Sequence, residues 1–213
     1  MKFITFSGVD GSGKSTQLAL LREKLERDNY NVAYFHAIEF SIASRFKKQL
    51  TVNKKQETAK AVTKASWCGI FLRKIFLIID VLRFRCLLRT LKKENCDYLL
   101  SDRYFYDTVI NLEYLQSVNS QQSTINDQQL TGNKNPGILL TVSCYLLPAP
   151  DLALYFDLAP ETIMSRERAP EQGIDYLRAK QALFGQKFAS WNLTAIDANR
   201  DKDLIHSDVI RRI

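Results

Sequence analysis

The stretch Gly8-Val9-Asp10-Gly11-Ser12-Gly13-Lys14-Ser15 constrains this chain more than any other part of its 213 residues. It matches G-x-x-x-x-G-K-[ST]. It sits directly behind a short apolar run, Phe3 to Phe6, and ahead of a segment in which Leu18, Leu21 and Leu25 share one helical face. Glycines in such a turn let the backbone curl until successive N–H groups point inward. With the N-terminus of the following helix, they form a nest for anions. In this reading Gly8, Asp10, Gly11, Ser12, Gly13, Lys14, Ser15 and Thr16 form a nucleoside triphosphate cradle. Lys14 would reach the β- and γ-phosphates, and the Ser15 hydroxyl would hold Mg²⁺. The motif does not say which group receives the phosphate.

Further strand-like runs follow the first: "NVAYFH", "DYLLS", "LALYFD" and "LTAID", separated by helix-like stretches. Alternation of this kind implies an α/β fold with a parallel sheet. The first helix is expected to run to about Asp28. Residues 42–94 read as mainly helical, with a polar break at 51–56. Residues 117–136 turn polar and read as a mobile loop. No repeat or linker divides the chain, so residues 1–213 read as one domain.

Apolar residues make up 46% of the chain, which excludes global disorder, and the formal net charge is +7. A basic balance suits phosphate-bearing partners. No helix–turn–helix or zinc pattern points to nucleic acid. The four cysteines lack C-x-x-C spacing, and there are two histidines. Reduced thiols in a cytoplasmic protein are expected. The apolar stretch "WCGIFLRKIFLIIDVLRFRCLL" is broken by Arg73, Lys74, Asp80, Arg83 and Arg85. It therefore reads as a buried or interface helix and not as a membrane span. It is also a candidate dimer face.

A second signal is Asp102-Arg103, at the end of the apolar run "DYLLS". Ligands in open parallel sheets sit at the carboxyl ends of strands. A carboxylate there can hold Mg²⁺ directly or through water, and Arg103 can fork onto a phosphate.

Together "GVDGSGKST", "SDRY", "PDLALYFDLAPETIMSRER" and "AIDANRDKDLIHSDVIRRI" resemble the thymidylate kinase family of P-loop nucleoside monophosphate kinases. The resemblance implies a five-stranded parallel sheet flanked by helices on both faces. It implies ATP- and Mg²⁺-dependent phosphoryl transfer to a nucleoside monophosphate, with dTMP favoured. By the same resemblance Lys14 and the P-loop amides hold ATP, and Ser15 and Asp102 hold Mg²⁺. Arg103 holds the acceptor phosphate, and Asp10 contacts the acceptor sugar. Asn199 and Arg200 flank the adenine. Phosphoryl transfer also needs a positioned arginine against the charge on the moving group. Gly11 and Ser12 leave the P-loop without one, so Arg166 and Arg168, in a lid of about 166–175, are expected to supply it.

The acceptor half departs from the family pattern. The segment after the second strand, "FHAIEFSIASRF", lacks the family's proline, leaving Glu39 and Arg45 as the nearest candidates. Arg83, with Arg85 close by, has the spacing of the family's base-reading arginine. Asp107 stands where a serine is usual. The lid ends in Asp175-Tyr176, with Arg178 following. Another nucleotide, a nucleoside or a phosphorylated metabolite is therefore an alternative acceptor. A nucleotide-binding protein without turnover is a third reading.

Overall fold

A computed structural model describes residues 1–42, 67–126, 145–166 and 170–213, apart from the side chains of Trp67 and of residues 120–126. The five apolar runs form five parallel strands. They are β1 (Lys2–Ser7), β2 (Val32–His36), β3 (Tyr98–Asp102), β4 (Leu152–Asp157) and β5 (Leu193–Asp197). Their order is β2-β3-β1-β4-β5. Phe6 pairs in register with Asp102, and Ser7 with Tyr155. The carboxyl ends of the three central strands therefore emerge together behind the glycine turn.

Seven helices accompany the strands among the described residues: α1 (Lys14–Arg27), α2 (Ala37–Phe40), α3 (Trp67–Lys93), α4 (Phe105–Asn126), α5 (Pro160–Met164), α6 (Ile174–Lys187) and α7 (Lys202–Arg212). Side chains alternate across a strand, so neighbours serve opposite faces of the sheet. Ile4, Phe6, Leu100, Leu154 and Ile196 pack with Leu18, Leu21 and Leu25 of α1 and with Ile205 and Val209 of α7. Phe3, Phe35 and Leu99 pack with Ile70, Leu77, Val81 and Phe84 of α3 and with Phe105 and Val109 of α4. Burial on both faces explains why these strands read as continuous apolar runs. The expected α/β architecture, with helices on both sides of the sheet, is what forms.

Two expected boundaries move. The core contacts of α4 carry its helix through Ser117 to Asn126, into the segment read as a loop. Once nucleated by buried turns, a helix propagates through polar residues at little cost. Residues 127–136 of that segment, and the polar break at 51–56, lie outside the described residues. Helix α6 begins at Ile174, so the lid segment ends inside a helix. No described helix is long and apolar enough to cross a membrane.

Candidate active site

The glycine turn connects β1 to α1, and its backbone needs glycine at two crowded places. Gly8 (φ 139°) would put a Cβ 2.8 Å from the Phe156 carbonyl oxygen. Gly11 (φ 86°) would put one 2.8 Å from Ile163 Cγ2 of α5. Lys14 is buried, and its Nζ donates to the Val9 carbonyl at 2.7 Å and to Ser12 Oγ at 3.3 Å. Burial lowers the Lys14 ammonium to about 8, against the opposing pull of Asp107. Thr16 is exposed on the first turn of α1.

Ser15 Oγ donates to Asp102 Oδ2 at 2.7 Å, joining the turn to the end of β3. Asp102 Oδ1 is buried and accepts no hydrogen bond among the described residues. One hydroxyl and one carboxylate with a spare lone pair fit Mg²⁺, which keeps several waters and takes the rest of its shell from substrate phosphates. No cluster of three or more His, Cys, Asp or Glu suited to a metal occurs among the described residues.

Arg103 adopts a left-handed backbone (φ 57°) immediately after β3. Its N–H donates to the Phe6 carbonyl at 3.1 Å, and its own carbonyl accepts from Ala37 N at 3.2 Å. The strained residue is thus pinned between β1 and α2. Its guanidinium forms a 2.6 Å ion pair with Asp10 Oδ1 of the turn. Burial alone would raise the Asp10 carboxyl. Lys180, Arg103 and Lys14 more than offset this and hold it below the usual carboxylate range.

Beyond the Asp10–Arg103 pair lies a cavity of about 330 Å³. Asp10, Arg73, Arg103, Asp107, Tyr176 and Lys180 are among its lining residues. Asp107 sits in the first turn of α4, and burial raises its carboxyl above the ordinary value against the pull of Lys14, Lys180 and Arg103. Sequence reasoning missed Lys180, Tyr176 and Arg73. The available signal was that Tyr176, Leu177, Lys180 and Phe184 fall on one face of α6, and all four are buried.

Arg83 is not among the residues that line this cavity. Its Nη1 donates to Asp80 Oδ1 at 2.8 Å and to the Phe40 carbonyl at 3.1 Å, and its guanidinium lies 4.4 Å from the Phe40 ring centroid. An aspartate one helical turn away captures it. Arg85 donates to the Leu146 carbonyl. Arg178 turns outward and pairs with Glu161 at 2.6 Å. Glu39 is exposed, and Arg45 lies outside the described residues.

Arg166 is exposed and reaches back to the turn, its Nη1 donating to the Gly11 carbonyl at 2.7 Å. Arg168 lies outside the described residues. Asn199 and Arg200 occupy the loop after β5. Asn199 N donates to Asp197 Oδ1 at 3.0 Å, and Arg200 pairs with Asp208. Gln17 Nε2 donates to the Lys202 carbonyl at 2.8 Å and ties that loop to the first turn of α1.

No family model matches the chain. The thymidylate kinase of Mycoplasma capricolum is 25% identical, over 99% of this chain and 93% of its own length. The probable thymidylate kinase 1 of Saccharolobus solfataricus is 24% identical, over 100% and 96%. The probable thymidylate kinase of Sulfolobus acidocaldarius is 29% identical, over 78% and 69%. The crystal structure of thymidylate kinase from Ehrlichia chaffeensis shares the fold, with a TM-score of 0.56 over 99% of this chain and 97% of that one at 18% identity. The resemblance carried by four short motifs thus extends over nearly the whole chain.

Proposed function

We propose that this protein transfers the γ-phosphoryl group of ATP, with Mg²⁺, to a nucleoside monophosphate, dTMP foremost. The observation that carries this is one junction: the Ser15–Asp102 contact and the Asp10–Arg103 pair join the glycine turn to the cavity beside it. A phosphate-binding nest and an acceptor-sized cavity sharing one wall suit in-line transfer. The acceptor phosphate oxygen would bond to the γ-phosphorus as the bond to the ADP oxygen breaks. An acceptor that is already an anion needs no deprotonation, so positioning and charge compensation suffice.

In this reading Lys14 leaves Val9 and Ser12 for the β- and γ-phosphates. Ser15 and Asp102 hold Mg²⁺, which neutralises charge on the transferring group when bound. Arg103 moves from Asp10 to the acceptor phosphate, which frees Asp10 for a sugar hydroxyl. Arg166, already over Gly11, faces the transferring group, with Arg168 as its neighbour. Asn199 and Arg200 border the adenine, where α1 and the loop after β5 meet. A homodimer paired through α3 completes the reading.

The rebuilt acceptor side favours a second reading, in which the chemistry is the same but the acceptor is another nucleotide, a nucleoside or a phosphorylated metabolite. Asp107 brings a carboxylate where the family has a small hydroxyl, and Arg83 is held by Asp80. An ADP-release assay across monophosphates and nucleosides decides between them. We expect dTMP to give the highest kcat/KM. Turnover confined to other acceptors selects the second reading, and ATP binding without acceptor-dependent turnover overturns both.

A further inference from the structure

Two oppositely charged side chains face the cavity without closing an ion pair among the described residues, although Lys14, Arg103 and the Ser7 hydroxyl also act on Asp107. Asp107, on α4, is 7% exposed, and both of its carboxylate oxygens lack a hydrogen-bond partner among the described residues. Lys180, on α6, is 3% exposed. Its Nζ donates to Tyr176 Oη at 3.2 Å and lies 5.1 Å from the Tyr176 ring centroid, yet it makes no ion pair among the described residues. Burying an ion is costly unless it is paired, and a pair meant only for stability would close to contact. These two attract each other across the cavity they both line. The adjacent Asp10 and Arg103, by contrast, do close to 2.6 Å.

What fits between them follows from their hydrogen-bonding types. An ionised carboxylate only accepts and an ammonium only donates. A ligand group satisfying both must donate on one side and accept on the other. A phosphate offers only acceptors and would meet repulsion at Asp107. A hydroxyl does both, and so does a ring edge in which an N–H adjoins a carbonyl. We infer that Asp107 and Lys180 form a reading pair for the N–H/C=O edge of the acceptor's pyrimidine, because the one free sugar hydroxyl of a deoxynucleoside monophosphate falls to Asp10 in the proposed reading. This rests on the proposed nucleoside monophosphate acceptor and assigns two residues to its discrimination.

The test is calorimetric binding of dTMP, its 3′-deoxy analogue and its N3-methyl analogue. The proteins compared are wild type and the double variant Asp107→Leu/Lys180→Met, which removes both charges and leaves neither one stranded. Wild type is expected to bind dTMP about tenfold or more tightly than the analogue that lacks the group being read. The double variant should bind dTMP and that analogue equally, while ATP affinity stays within about threefold of wild type. Loss on the N3-methyl analogue that disappears in the double variant assigns the ring edge to the pair, whereas loss on the 3′-deoxy analogue that persists in the double variant belongs to Asp10. If the double variant discriminates as wild type does, or if wild type binds none of the three, the inference is overturned. Turnover separates the two readings. Phosphorylation of dTMP with discrimination unchanged removes only this pair. Pair-dependent binding without phosphorylation removes only the proposed reaction.

Discussion

Lys14 carries its charge at a cost to folding. Its ammonium is buried and, among the described residues, hydrogen-bonds only to the Val9 carbonyl and the Ser12 hydroxyl. Burial takes its pKa to about 8, from an ordinary 10.5. Between those values the unfolded chain binds the extra proton, so folding stability rises with pH across that window. Below about pH 8 the full cost is present, on the order of 3 kcal/mol before its two hydrogen bonds are credited. Lys14→Met should therefore be more stable than wild type in urea at pH 7. That advantage should shrink by pH 9.5, as wild-type Lys14 loses its proton. A stability difference that does not change with pH would refute this account. The same variant should lose ATP binding, because the charge that burdens the fold is the one phosphate requires.

At the scale of elements, the short helix α5 is fitted to the glycine turn. Ile163 is fully buried, and its Cγ2 occupies the space a Cβ on Gly11 would need. The chain leaves α5 through Ser165 to Arg166, which bonds back to the Gly11 carbonyl. A residue over the nest yet exposed is free to re-aim when a phosphoryl group arrives. Arg166→Ala should lower kcat by about a hundredfold or more while ATP affinity changes by less than about threefold. Single-turnover kinetics separate the two quantities, and an unchanged kcat would remove Arg166 from the chemistry. This contact was legible only in outline. An arginine-free P-loop pointed to the lid, but the reach from Arg166 to Gly11 depends on how α5 docks. Strands buried on both faces announced themselves as apolar runs, as did the strand–glycine–helix order around Lys14. The Arg83 contact with Asp80 was not legible, because spacing along a helix does not fix which neighbour captures the side chain. Lys180 was missed because a lysine on an apolar helical face ordinarily snorkels to solvent. Only the packing of α6 against α4 turns it into a cavity.

The whole molecule leaves one helix half covered. Ile70, Leu77 and Phe84 press α3 into the core, yet its opposite side is also apolar, with Phe71, Leu72, Ile79 and Leu82 each between 38% and 55% exposed. A helix apolar all round is normally enclosed, and no described residue encloses this face. Its stripe runs Cys68, Leu72, Ile75, Ile79, Leu82 and Cys86, with alternating steps of four and three. That is the spacing of a coiled-coil seam. The steps read the same in both directions, so a second copy laid antiparallel about a two-fold axis matches every position. In such a pair Cys68 would meet Cys86 of the second copy, Leu72 would meet Leu82, and Ile75 would meet Ile79. An isologous contact requires this self-complementarity. Charge selects the same orientation, because Arg85 and Arg89 would oppose their own copies in a parallel pair and avoid them in an antiparallel one. Cys68 and Cys86 are exposed free thiols, so they report the register. We expect a dimer in sedimentation at micromolar concentration, and a monomer for Leu72→Glu. In a Cys144→Ser background, diamide should join two chains covalently, and Cys68→Ser should abolish that product. A parallel pair would still cross-link through Cys86 after Cys68→Ser, and a monomeric wild type would leave the stripe without its second copy.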